Sequence, residues 1–143
     1  MVGVLFSLIA GIFIAMQMVF NARVGEHVGL WETTTIVHAV GFLFSIVMLV
    51  LFGEGHIGKW AEINKLYLLG GAFGVLVIYS MTRSVLSIGP TLAVAVLMVS
   101  QLTAALMIDV FGLFGAHRII IDWTKPVGIF IIIIGIVVFK IRG

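Results

Sequence analysis

Five stretches of about twenty residues run through this chain with scarcely a charge. A helix of that length rises about 1.5 Å per residue and so crosses the roughly 30 Å of hydrocarbon in a bilayer. The stretches cover residues 2–20, 33–52, 66–86, 91–111 and 126–140. Asn21 and Arg23 close the first, and Gly53, Glu54 and Gly55 close the second. Gly89 and Pro90 precede the fourth, and Pro126 opens the fifth, where a missing N–H is harmless in the first turn. Lys140 and Arg142 close it, and Trp31, Trp60, Tyr67 and Trp123 stand beside the limits, where amphipathic rings favour the headgroup layer. Backbone polar groups in lipid must be satisfied within the segment. The pattern therefore predicts an all-α integral membrane protein, a five-transmembrane-helix bundle forming a single domain over residues 1–143.

Composition excludes the rival classes. The chain is 62% hydrophobic and 10% charged, against roughly 45–50% and about 25% in soluble domains. With no cysteine there is no disulfide framework and no thiolate site. The eight Lys and Arg are scattered singly between apolar blocks, which argues for membrane-edge anchors and against nucleic acid as a partner. The first block has no basic leader, exceeds the usual signal-peptide core in length and is followed by more such blocks, so it is expected to be a span. His27, His38, His56 and His117 lack metal-ligand spacing, and Gly70–Gly74 follows no strand that would make it a phosphate loop. No enzyme activity, cofactor or metal is expected. The longest connections, 53–65 and 112–125, are too short to fold alone, which leaves function to the helices and their ends.

With five spans, Lys59, Lys65, Arg118 and Lys125 fall on one side of the membrane, and Arg23, Arg83, Lys140 and Arg142 on the other. Four against four gives the positive-inside rule nothing to act on. The balance points to dual topology, with copies inserted both ways and paired antiparallel as in the inverted repeats of larger transporters. Small residues offer close helix contacts: Gly3, Ser7, Gly11 and Ala15 form one ridge, Gly70 and Gly74 another, and Gly128 and Gly135 a third.

Polar groups at membrane depth need partners, so each is a candidate for function. Gln17 and Asn21 lie one turn apart on the first span, as do Tyr79 and Arg83 on the third. Thr34, His38, Gly41 and Ser45 make a stripe on the second, and Gln101 lies near mid-depth on the fourth. Gln17, Asn21, His38, Tyr79 and Gln101 are the expected substrate-binding groups. Glu32, Arg83 and Asp109 are the expected coupling or charge-pairing groups, with Glu32 and Arg83 toward one side and Asp109 toward the other. Histidine changes charge closest to neutral pH, which adds His38 to the groups able to titrate.

These residues together resemble the YdcZ family, a bacterial branch of the drug/metabolite transporter superfamily, over essentially the whole chain. The resemblance rests on Gln17 with Asn21, Ala22, Val24 and Gly25; on Gly41; on Gly70, Gly71 and Gly74; and on Gly89 with Pro90. It continues through Gln101, Asp109, Phe111 and Gly112 to Pro126, Gly128 and Gly135, with the run QLTAALMIDVFGLFG as its most specific piece. The chain departs from the pattern at Ser100 and His38. The resemblance implies a multi-pass unit of the bacterial inner membrane, half of a ten-helix transporter fold. Such a unit pairs, as an antiparallel homodimer or with a close paralogue, and exports a small organic solute by alternating access. Small multidrug exporters of the same superfamily exchange protons through a first-span glutamate. This chain has neutral Gln17 there, so that mechanism does not carry over. A dual-topology ion channel and an accessory subunit of another transporter are the alternatives.

Overall fold

A computed structural model of the chain describes residues 1–141; Arg142, expected to close the fifth span, lies outside them. The described residues hold five long helices: α1 (Val2–Val28), α2 (Leu30–Phe52), α3 (Gly70–Ile88), α4 (Pro90–Phe111) and α5 (Thr124–Ile141). Each is long and apolar enough to cross a membrane, α3 together with the 3₁₀ turn Lys65–Leu69 before it. No strand occurs among the described residues.

Two boundaries differ from those read in the sequence. The first helix does not end near Asn21 and Arg23 but continues to Val28, and the second begins at Leu30 instead of residue 33. Charge marks where a helix leaves hydrocarbon, not where it unwinds. Arg23 donates to the Glu26 carboxylate at 3.1 Å along the exposed side of α1, a pairing that suits a helix emerging into water. Only Gly29 interrupts the two helices, with φ 100° and ψ 166°, a conformation open essentially to glycine. Its N–H donates to the Gly25 carbonyl at 3.2 Å, and its carbonyl accepts from the Thr33 N–H at 3.1 Å. One residue thus closes α1 and opens α2. The third candidate span starts at Lys65, one residue from the start read in the sequence, but in 3₁₀ form: Asn64 caps that turn by accepting from the Leu66 N–H at 3.0 Å, and α-helix begins at Gly70. A further 3₁₀ segment, Ile57–Glu62, occupies the preceding loop.

The chain divides into two compact units, the first from Met1 to Ser87 and the second from Ile88 onward. In the first, burial is concentrated near Gly29, at Met18, Asn21 and Ala22 of α1 and Thr33 and Thr34 of α2. Residues 2–17 of α1 are exposed throughout, as are 39–52 of α2 apart from half-buried Met48. Lipid accepts the apolar part of this surface without cost, and Gln17, exposed among it, is the exception.

The second unit is the α4–α5 hairpin. Gly112, at φ 63°, turns the chain out of α4, and its N–H donates to the Ile108 carbonyl. The chain then folds back: the Ile119 N–H donates to the Asp109 carbonyl at 3.0 Å, and Arg118 Nε donates to the Val110 carbonyl at 3.2 Å. Three carbonyls that the helix end leaves free are thereby satisfied.

Candidate functional site

The first unit gathers polar side chains where α1, α2 and α3 meet. Thr33 and Thr34 open α2 with hydroxyls that donate back to the Gly29 and Leu30 carbonyls at 2.6 and 2.8 Å. Both are buried despite their polarity. Back-bonding to the carbonyl four residues earlier satisfies the hydroxyl proton and leaves oxygen lone pairs for another donor. Asn21, expected to line a pocket, is 6% exposed, and its amide makes no side-chain hydrogen bond among the described residues.

Thr82 of α3 completes the group. A Cβ placed on Gly25 would lie 3.0 Å from Thr82 Cγ2 and 3.6 Å from Thr33 Oγ1, so the bare backbone of Gly25 provides the space in which α3 approaches α1 and α2. Thr82 is 1% exposed, and its hydroxyl has no hydrogen-bond partner. Four other helical threonines, Thr33, Thr34, Thr35 and Thr103, back-bond. Thr82 instead sets its methyl against Gly25 and leaves its hydroxyl free. A buried hydroxyl without a partner costs about 1–3 kcal/mol, and that cost marks a place where a ligand has something to satisfy.

The α2–α3 seam carries two more of the expected residues. The Trp31 and Tyr79 rings stack at 4.2 Å between centroids, 28° from parallel. His38 Nδ1 lies 2.8 Å from the Thr34 carbonyl. A carbonyl only accepts, so Nδ1 carries a proton, and the neutral form of the ring has its free lone pair on Nε2. That nitrogen would lie 3.4 Å from a Cβ on Gly74, so the expected small residue at 74 is what leaves room beside the ring.

The remaining expected residues are not drawn into this cluster. Gln17 shares a helix face with Asn21 but is exposed, since it stands farther from the junction where α2 crosses. Glu32 is exposed, its Oε2 2.5 Å from where a Cβ on Gly29 would stand, at the α2 N-terminus where a carboxylate is favoured. Arg83 is exposed on α3. In the second unit Gln101 is exposed and Asp109 half-buried. No atom lies within 4 Å of a Cβ placed on Gly3, Gly11, Gly70, Gly128 or Gly135, so these positions of the three small-residue ridges are uncovered on a single chain. Ser7, in the first ridge, donates its hydroxyl to the Gly3 carbonyl at 3.0 Å, and neighbouring Ala15 is exposed.

Sequence reasoning passed over Thr33 and Thr82. The available signals were the run Thr33–Thr35 immediately after Gly29 and the three-residue spacing of Tyr79 and Thr82, which places both on one face of α3. No group of three or more His, Asp or Glu able to hold a metal ion occurs among the described residues. The cluster offers uncharged donors and acceptors beside an aromatic pair, chemistry for binding and not for bond-making. A family model described as "Putative inner membrane exporter, YdcZ" matches residues 2–138. No curated protein and no solved structure matches the chain.

Proposed function

Because the chain belongs to the YdcZ family, and so is a multi-pass inner-membrane transporter and not an enzyme, we propose that it exports a small, uncharged, hydrogen-bonding organic solute by alternating access. The observation that carries this reading is the Thr82 hydroxyl, buried without a partner beside buried Asn21, Thr33 and Thr34. A solute donating to the threonine oxygens and exchanging hydrogen bonds with the Asn21 amide would satisfy all of these groups at once. Tyr79, stacked on Trp31, would give it an apolar face, and His38 Nε2 a further acceptor. A site of this kind selects through the unmet hydrogen bonds that a wrong ligand leaves behind.

The working unit in this proposal is an inverted pair, of two copies or of this chain with a close paralogue. Gln17 and Gln101, exposed on the single chain, then face the partner and not hydrocarbon. Glu32, Arg83 and Asp109 stand outside the uncharged cluster and remain the groups through which a charged solute or a coupling proton would act. A thermal-shift screen of metabolites on purified protein identifies the solute, and counterflow in liposomes then tests its movement. The proposal expects at least one uncharged polar hit whose transport falls in Thr82→Val and Asn21→Leu. Hits confined to permanent cations, or transport indifferent to both substitutions, would refute it.

A further inference from the structure

The α4–α5 hairpin carries an open cleft of about 390 Å³ that the solute site does not use. It runs between Leu102, Leu106 and Asp109 on one side and Lys125, Ile129 and Ile132 on the other, each set following helical spacing along one face. From Asp109 to Leu102 is seven residues, roughly 10 Å of helix, so the cleft runs along the two helices as an apolar groove with one polar end. It stays open because Ala105 and Gly128, which line it, are too small to fill it.

The polar end has an unusual charge arrangement. Asp109 lies in the last turn of α4 and Lys125 in the first turn of α5. Each is at the unfavourable end of its own helix, a carboxylate where carbonyls gather and an ammonium where N–H groups do. Asp109 and Lys125 are the charged residues that line the cleft, and neither is paired: among the described residues the ion pair is Arg23 with Glu26. The set sums to zero, which suits neither an anion nor a cation alone.

We propose that this cleft binds one molecule of a zwitterionic aminophospholipid, an acyl chain in the apolar part and the headgroup across the mouth. The ammonium meets Asp109 at the negative end of α4, and the phosphate meets Lys125 at the positive end of α5. Both misplaced charges are then neutralised by a single ligand. A free zwitterionic solute would leave the apolar groove empty, whereas a lipid fills it. Trp123, exposed beside the mouth, places that end at headgroup level.

Native mass spectrometry of the full-length protein, released from micelles doped in turn with phosphatidylethanolamine, phosphatidylglycerol and phosphatidylcholine, tests the assignment. Phosphatidylethanolamine should be retained about ten-fold better than either other lipid, as one charge-assisted hydrogen bond allows. The choline headgroup has no N–H to donate, so Asp109→Leu, which removes both the charge and the acceptor, should abolish the preference over phosphatidylcholine. Gly128→Leu, or Ala105→Leu if that variant does not fold, should block the cleft and lower retention of all three lipids. Equal retention of the three by the unaltered protein overturns the proposal. So does retention unchanged by cleft filling, or displacement of the lipid by free phosphoethanolamine at matched concentration. An Ile129→Cys variant that forms disulfide dimers at a rate unaffected by added lipid overturns it too, since a second copy would then fill the cleft.

Discussion

Replacing Thr82 with valine should make the protein more stable and a poorer carrier. Valine keeps the branch and the methyl that rests against Gly25, and its helix propensity is close to that of threonine, so the substitution removes little beyond the hydroxyl. The hydroxyl is buried and unbonded, a state that costs about 1–3 kcal/mol. Taking the lower figure, Thr82→Val should gain about 1 kcal/mol, or roughly 3 °C in a chain of this size. Its bond to the solute is lost at the same time, which weakens binding about five- to ten-fold. Thr34→Val is the control: its hydroxyl donates to the Leu30 carbonyl at 2.8 Å, so the change should cost about 0.5–1.5 kcal/mol. Thermal unfolding of both variants in one detergent, with titration of the screened solute, reads the two signs together. If Thr82→Val destabilises as much as Thr34→Val, the hydroxyl already has a partner and the reasoning fails. If it stabilises but binds and transports normally, the free hydroxyl is real but lies outside the solute site.

Gly29→Ala should cost about 2 kcal/mol, because φ 100° is strained for any residue with a Cβ; a melting temperature unchanged in detergent would contradict the assigned turn. Arg23→Ala should alter stability by under about 0.5 kcal/mol, the pair with Glu26 being exposed at 3.1 Å; a loss several times larger would place that end of α1 against protein. Two or three lysines added around Gly55–Gly58, or after Arg142, should trap the chain in opposite orientations, read by C-terminal reporter fusions, since the sequence assigns four basic residues to each expected side. Each trapped form should lose transport and the two together regain it; a single orientation in the unaltered chain refutes the homodimer.

The number of helices able to span was legible because hydrocarbon imposes a length, and among the described residues five helices meet it. Their ends were less so, for a physical reason visible at Arg23. Hydropathy falls where a helix leaves lipid, yet the helix continues as long as its ladder is intact and its charges find water or each other. The 3₁₀ start at Lys65–Leu69 was likewise hidden, because hydropathy does not distinguish one helical winding from another.

Asn21 was legible because an amide within an apolar block has few harmless explanations, whereas threonine has one. By back-bonding, a threonine sits on a lipid-facing helix at little cost, as exposed Thr35 and Thr103 do, and the letter alone cannot separate these from buried Thr33 or unbonded Thr82. Gln17 shows the complementary problem. Helical periodicity fixes the direction in which a residue points, so Gln17 and Asn21 share a face; burial depends also on height, and only the part of α1 near Gly29 has neighbours. An amide left on the bare part of a helix has no partner in hydrocarbon, and the same holds for Gln101 on α4. The proposed inverted pair removes that difficulty without any change to the single chain. It sets a second surface against the uncovered ridge of Gly3, Ser7 and Gly11, along the same helix whose lower part holds Asn21. On that reading the solute site is built within one chain, and the path to it is built between two.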